Sequence, residues 1–179
     1  KTLKLILSCL IIMVNFAFSL KGMPPTIQLR KALFKVRSTS QSVDYSQPWI
    51  HRSPRDGSGT GFYIGKNRIM TNAHVVSRGK FITVQKDGDE ALWEAQVAFI
   101  AHDSDLAILT LPQGPDLKHL KPLEMGSVPK LESPVVTVGY PTGGDQISIT
   151  KGVVSRIDFR RYVHSAYHSH LLIQVDSAI

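Results

Sequence analysis

The sequence has almost no cysteine: Cys9 is the only one among 179 residues. It lies in an apolar stretch at the amino terminus, so a chain that loses this stretch has no thiol at all. Disulfide bonds and thiolate metal ligands are then excluded, and the fold must be stabilised by its core alone. A content of 42% apolar and 20% charged residues is that of an ordinary globular protein.

Residues 1–19 have the pattern of an export signal. Lys1 and Lys4 precede an uncharged apolar run, and residues 17–19 form a small-x-small cleavage pattern. The run is shorter than the roughly 18 apolar residues expected of a membrane span, so an uncleaved anchor is the weaker alternative. We therefore predict a signal peptide at residues 1–19, no membrane span after its removal, and an exported protein. An exported chain without disulfides fits the bacterial periplasm, with secretion as the second choice.

Acidic residues are few, which gives the chain a formal net charge of +7. The excess is confined to the amino-terminal part: residues 20–52 contain six basic residues and one acidic residue, whereas residues 53–179 contain thirteen of each. The main part of the chain is therefore neutral and needs no cationic groove, so nucleic-acid binding is not predicted. Residues 20–31 are interpreted as a basic amino-terminal arm.

Helical periodicity is absent after residue 19. Apolar residues instead alternate with polar ones, for example in residues 93–99 and 155–160, which is the pattern of half-buried strands. Short turn signals rich in glycine, proline, asparagine and aspartate separate these segments. The pattern predicts an all-β protein built as an antiparallel barrel or sandwich, with a boundary between two halves near residues 112–122.

Three other kinds of site are not predicted. The glycine-rich run of residues 57–61 leads into a strand and not a helix, so it lacks the amides of a phosphate-binding helix start. His164, His168 and His170 are spaced like metal ligands, but their setting favours a solvated loop, and no metal or organic cofactor is expected. No pair of carboxylates suggests glycoside chemistry.

His74 and Asp105 are the candidate catalytic residues. His74 lies in the segment TNAHVV, directly after an apolar strand-like stretch, where packing can fix the ring and present one nitrogen to a cleft. Asp105 immediately precedes an apolar strand, residues 106–111, so its carboxylate can accept from the imidazole Nδ1–H and stabilise the imidazolium. An isolated histidine beside valines is more often structural, and it is the combination with Asp105 that favours catalysis.

Four ordered blocks of sequence resemble the trypsin-like serine proteases of the Deg/HtrA type: GSGTGFYIGKNRIMTNAHVV, DSDLAILTL, VVTVGYPTGGDQISITKGVVSRI and LLIQVDSAI. The resemblance implies a trypsin-like double β-barrel. It implies that a complete first barrel, residues 32–115, carries His74 as general base and Asp105 as the residue that orients it. A partial second barrel follows at residues 116–179. Asp103, in the same block as Asp105, is then a surface or turn carboxylate.

The resemblance also implies that a nucleophilic serine and an oxyanion hole lie shortly after a segment matching QVDSAI. The sequence ends at Ile179 before any such motif, and Ser177 occupies a position that holds small residues in the family. We therefore expect the 179-residue chain to be inactive by itself. The resemblance further implies protein quality control as the process, unfolded or misfolded polypeptide as the substrate, and a homo-oligomer, a trimer.

Two other interpretations stay open. The protein could be a non-catalytic, peptide-binding or chaperone-like relative of these proteases whose complete chain lacks the serine, although the presence of both His74 and Asp105 argues against it. Alternatively, residues 20–37 could make it a basic adaptor for an anionic membrane or nucleic acid.

Overall fold

The computed structural model of the protein describes residues 4–8, 15–19, 26–50, 52–141, 144–162 and 168–177. The strands in these ranges are β1 (Lys4–Ser8), β2 (Asn15–Ser19), β3 (Leu33–Ser40), β4 (Arg55–Gly65), β5 (Arg68–Thr71), β6 (Gly79–Lys86), β7 (Leu92–Glu94), β8 (Gln96–Ala101), β9 (Leu106–Thr110), β10 (Glu124–Met125), β11 (Pro134–Gly139), β12 (Ser148–Arg161) and β13 (Ser169–Val175). The helices there are α1 (Thr26–Lys31), α2 (Ala73–Val76) and a 3-10 turn at Leu117–His119. The all-β expectation is confirmed.

Seven strands form the first sheet, in the order β7-β6-β3-β4-β5-β9-β8 with all neighbours antiparallel. The sheet curls into a half-barrel. One face carries large apolar side chains that are completely buried, among them Phe34, Ile69 and Leu109. Because each such side chain contributes about 1.5–3 kcal/mol on burial, this face supplies the main stabilisation of the fold.

Close packing explains Gly61, the last residue of the glycine-rich run, which does not lead into β4 but lies within it and pairs with β3. A Cβ on Gly61 would lie 2.7 Å from Ile69 Cγ2 and 2.9 Å from Val36 Cγ2. Glycine in a strand interior often marks such a close approach. Gly61 therefore allows β4 to pack closely against the core.

Six strands form the second sheet, in the order β10-β1-β2-β11-β12-β13, and its pairs are antiparallel except β1 with β10. Val136 and Val138 of β11 join the core of the first sheet, whereas Val135 packs with Val154 and Ile173 in a separate cluster. Alternate residues of a strand point to opposite faces, so one face of β11 serves each cluster. The two sheets thus share the larger cluster, and the second sheet has a smaller cluster of its own.

Polar contacts also join the two sheets. Tyr140, just after β11, donates its backbone N–H to Thr60 Oγ1 at 2.8 Å. Lys35 in β3 is buried, and its Nζ donates to Gly144 O at 2.8 Å and to the Asp145 carboxylate. These contacts fix how the second sheet lies against the first.

The amino-terminal segment contributes to the second sheet. Residues 4–8 and 15–19, assigned above to a signal peptide, form β1 and β2, and β2 pairs with β11. Cleavage after Ser19 stays a prediction, and it would uncover this edge of β11. Of the helices in the described ranges, none has both the length and the apolar character needed to cross a membrane.

Two segments differ in detail from the expected pattern of half-buried strands. In residues 155–160 only Ile157 is partly buried, and Phe159 is 70% exposed. Residues 93–99 do not form a single half-buried strand but belong to β7 and β8, which are separated at the buried Ala95. Val97 and Phe99 are exposed. The reason is that β8 lies at the edge of the first sheet, where fewer elements cover its side chains.

Candidate active site

The pairing of β5 with β9 brings the two candidate catalytic residues together. Thr71, the last residue of β5, lies opposite Ala107 of β9. The chain enters α2 soon after Thr71 and enters β9 directly after Asp105. A hydrogen bond of 3.1 Å from Ala73 N to Asp105 O closes the junction. The pairing of these two strands thereby places His74 next to Asp105, although the two residues are 31 positions apart in the sequence.

The Asp105 carboxylate holds His74 at two points. Its Oδ2 lies 2.6 Å from His74 Nδ1, and its Oδ1 accepts from the His74 backbone N–H at 2.7 Å. Since an ionised carboxylate can only accept, the proton of the first contact is assigned to Nδ1, which makes Nε2 the basic nitrogen of the neutral ring. The Asp105 side chain is 2% exposed and the His74 side chain is 28% exposed. The carboxylate is therefore sealed, whereas the ring reaches the surface.

Asn72 fixes the backbone and the side chain of Asp105 together. Asp105 has a φ of +54°, in the left-handed region that aspartate and asparagine tolerate better than most residues. Asn72 Nδ2 donates to Asp105 O at 3.1 Å and to Asp105 Oδ2 at 3.0 Å. The residue two positions before His74 thus helps to set the direction of the carboxylate.

Tyr162 is a further member of the site that sequence reasoning missed. Its hydroxyl donates to Asp105 Oδ2 at 2.6 Å, and the residue is 4% exposed. Tyr162 follows β12 in the second sheet and lies 57 positions from Asp105. No spacing or motif in the sequence links the two residues, because only the packing of one sheet on the other brings them together.

These contacts decide the charge of Asp105. Burial alone raises the pKa of its carboxyl group, but hydrogen bonds from His74 and Tyr162 outweigh burial and lower the pKa to about 2. Asp105 is therefore ionised at any pH near neutrality. A fixed anion next to Nδ1 is what an imidazole needs in order to hold one tautomer and to accept a proton at Nε2.

Ser177 and Asp103 have other surroundings. Ser177 Oγ shares a hydrogen bond of 2.5 Å with Thr137 Oγ1 of β11. Asp103 is exposed, and the hydroxyl of the neighbouring Ser104 lies 3.5 Å from its Oδ1. Asp103 thus lies at the surface, apart from the buried contacts that Asp105 makes with His74.

Two histidines of the histidine-rich segment are described, and His170 lies half-buried in β13 and not in the expected solvated loop. His170 Nε2 donates to Asp103 O at 2.7 Å, and its ring centroid lies 6.5 Å from that of His168. His164 lies outside the described residues. Within the ranges that the structure describes, no three metal-ligating side chains lie close enough to hold an ion.

The chain is similar to known proteases over most of its length. The trypsin-like peptidase domain family matches residues 59–179. Protease Do-like 4, mitochondrial, of Arabidopsis thaliana is 44% identical over 148 residues, which are 83% of this chain and 28% of that protein. The serine protease DegP homolog of Plasmodium falciparum is 39% identical over 142 residues, which are 76% of this chain and 16% of that protein. The chain thus spans about a quarter or less of the length of these relatives.

Solved structures agree with this assignment. The active form of the Rv3671c protease from M. tuberculosis has a TM-score of 0.58 and 25% identity, with 84% of this chain and 60% of that one covered. The HtrA-type protease AlgW with a decapeptide has a TM-score of 0.62 and 21% identity, with 84% and 49% covered, which supports the fold alone. The expected trypsin-like β-barrel architecture is confirmed. The chain belongs to the trypsin-like peptidases, as a protease domain of the Deg/HtrA type.

Proposed function

We propose that the chain carries the His–Asp part of the Ser-His-Asp triad of a serine endopeptidase, with His74 as general base and Asp105 as the residue that orients it. One observation carries the proposal: a buried carboxylate lies 2.6 Å from Nδ1 of a ring that reaches the surface. A purely structural histidine in the core needs neither this exposure nor an ionised partner.

In the proposed reaction, a serine hydroxyl attacks the scissile carbonyl carbon while His74 Nε2 takes the hydroxyl proton. The ring becomes an imidazolium, and the Asp105 carboxylate stabilises this charge without accepting the proton itself. His74 then donates the proton to the leaving amine, which completes the acylation step. Water repeats the sequence on the acyl-enzyme and releases the second product.

The serine and the oxyanion-hole amides are not provided by residues 1–179 in this proposal. Ser177 is the nearest sequence candidate, but its hydroxyl is bonded to Thr137, and no glycine-flanked serine motif surrounds it. We therefore propose that residues 20–179 alone do not hydrolyse peptides. His74 and Asp105 have no hydroxyl to activate and no donors for the oxyanion.

Substrate and assembly are proposed from the resemblance to Deg/HtrA proteases alone. We propose unfolded or misfolded polypeptide as the substrate, protein quality control as the process, no metal or organic cofactor, and a homotrimer as the assembly. Similarity to a protein named as a serine protease supports a polypeptide substrate. These proposals concern the complete protein, of which the chain matches the protease domain.

The test begins with the coding sequence after Ile179, where a serine between glycines is expected. Casein hydrolysis by the protein carried through that motif then measures activity. His74→Ala is expected to lower kcat by about 10⁶-fold and Asp105→Asn by about 10⁴-fold. Asp103→Asn is the matched control, because it makes the same change two positions away and is expected to leave kcat unchanged.

Two outcomes would contradict the proposal. Full activity of His74→Ala would exclude His74 as the base. A continuation that lacks the serine would instead favour the non-catalytic, peptide-binding or chaperone-like relative, and peptide binding without hydrolysis would establish it. Casein hydrolysis by residues 20–179 that His74→Ala abolishes would contradict the inactivity proposed for this part.

We also propose export to the periplasm, directed by residues 1–19. Mass spectrometry of the mature amino terminus tests this, and a terminus just after Ser19 is expected. An intact amino terminus, with β1 and β2 retained in the second sheet, would contradict the proposal. Delivery to an organelle would do so as well, an outcome to consider because the Arabidopsis relative is named as mitochondrial.

A further inference from the structure

The second sheet contacts the loop that carries Asp105 at two points. Tyr162 OH donates to Asp105 Oδ2 at 2.6 Å, and His170 Nε2 donates to Asp103 O at 2.7 Å. The rings of Tyr162 and His170 also meet edge to face, with centroids 5.9 Å apart and an angle of 72° between their planes. Residues at the end of β12 and the start of β13 therefore brace a loop of the first sheet.

Tyr162 is held in place by the second sheet, whose strand β12 it follows. Its backbone N–H donates to His168 O at 2.9 Å, which continues the pairing of β12 with β13 beyond Arg161 and Ser169. The residue is 4% exposed and therefore has little freedom to turn its ring. The position of its hydroxyl is set by the second sheet.

Three donors converge on Asp105 Oδ2. His74 Nδ1 and Tyr162 OH each lie 2.6 Å from this oxygen, and Asn72 Nδ2 lies 3.0 Å away. His74 thus shares its acceptor with Tyr162. Because Asp105 is 2% exposed, water has little access to replace a lost donor. A change at the Tyr162 hydroxyl is therefore expected to affect the Asp105 carboxylate and, through it, the orientation of His74.

We propose that Tyr162 is a positioning residue, which keeps the Asp105 carboxylate ionised and turned toward His74. The inference rests on the proposed function, since it assigns Tyr162 a part in preparing the general base. It also gives the second sheet a direct influence on a pair of residues that lies in the first sheet. Tyr162 acts through Asp105 and does not itself touch the reacting atoms.

The test is Tyr162→Phe, which removes one oxygen and keeps the ring. The matched control is Tyr140→Phe, because Tyr140 is also buried and its hydroxyl donates to another carboxylate, that of Asp87, at 3.3 Å. NMR of the Asp105 carboxyl carbon in the 179-residue chain follows its titration. The midpoint is expected to rise by about one pH unit or more in Tyr162→Phe, because a hydrogen bond to a charged group is lost. It is expected to stay unchanged in the control.

A kinetic measurement adds a second readout. In the protease carried through its serine motif, Tyr162→Phe is expected to lower kcat several-fold and to leave KM unchanged, because the buried hydroxyl acts on the base and not on bound peptide. Should Tyr162→Phe fail to fold, 3-fluorotyrosine at position 162 replaces it. The fluorine makes the phenol a stronger donor, so the Asp105 midpoint is then expected to fall.

An Asp105 midpoint that none of these substitutions moves would overturn the inference. So would a loss of activity that appears entirely in KM. Failure of the proposed function has a different signature, since His74→Ala then keeps its activity whatever the Asp105 titration shows.

Discussion

Asp105→Asn separates the charge of this residue from its shape. The carboxylate accepts from the backbone and ring of His74, from Asn72 and from Tyr162, with all distances between 2.6 and 3.0 Å. An amide presents NH₂ at one of the two oxygen positions, so at least one buried donor loses its acceptor whichever way the amide turns. The remaining hydrogen bonds lose their charged partner. We expect the free energy of unfolding near pH 7 to fall by about 3 kcal/mol.

A sharper test is how the difference in free energy of unfolding between wild type and Asp105→Asn changes with pH. The pKa of Asp105 is about 2 in the folded protein and about 3.9 in the unfolded chain. A group whose folded pKa is the lower one stabilises the protein fully above its unfolded pKa, and this stabilisation is lost as the pH falls through the folded pKa. The difference between the two pKa values corresponds to a contribution of about 2.6 kcal/mol to the free energy of unfolding at neutral pH. The gap between wild type and Asp105→Asn should therefore narrow by about 1 kcal/mol on going to about pH 3.

Urea denaturation of the 179-residue chain, in steps from about pH 7 to about pH 3, measures the gap directly. Asp103→Asn is again the control, and its free energy of unfolding is expected to stay within about 0.5 kcal/mol of wild type throughout. A gap of constant size across this range would refute the reasoning. It would show that Asp105→Asn acts through packing or backbone strain and not through the lost charge.

Three further changes, one of them with a matched control, test the packing behind the site. Gly61→Ala is expected to cost about 1–3 kcal/mol, because its Cβ would lie within 2.9 Å of two buried aliphatic side chains. Gly57→Ala in the same strand meets only a carbonyl oxygen at 3.9 Å, so urea denaturation should show a change below about 0.5 kcal/mol. Thr60→Val leaves the buried Tyr140 N–H without its acceptor and is expected to cost about 1–3 kcal/mol, measured as a lower Tm. Leu109→Ala opens a cavity in the shared core, and a loss in urea denaturation smaller than about 2 kcal/mol would contradict that core.

The His74–Asp105 pair was predictable because both residues lie next to strands with clear apolar patterns. His74 follows β5 and Asp105 precedes β9, and these two strands are neighbours in the sheet. Neighbouring antiparallel strands place the end of one beside the start of the other. Two local patterns and one pairing were therefore enough to bring the residues together, and the resemblance to a protease family agreed with them.

Tyr162 and Asn72 could not be predicted in the same way. The contact of Tyr162 depends on how the second sheet packs on the first, and no periodicity in one strand reports that. Asn72 lies within the recognised segment, but its role comes from the left-handed backbone of Asp105, whose carbonyl and carboxylate it bonds together. The pattern of apolar residues indicates which face is buried; it does not indicate which polar side chains meet across a junction.

The division of the site between two sheets limits what the first sheet can do alone. His74 and Asn72 approach Asp105 from the first sheet, while Tyr162 reaches the same oxygen from the second. Because Asp105 is almost completely buried, its ionised form depends on donors and not on water. A chain with the first sheet intact but the second sheet loosely packed would keep both catalytic candidates and still lack one donor to the carboxylate. An ionised and correctly oriented partner for His74 therefore requires the two sheets to be packed together.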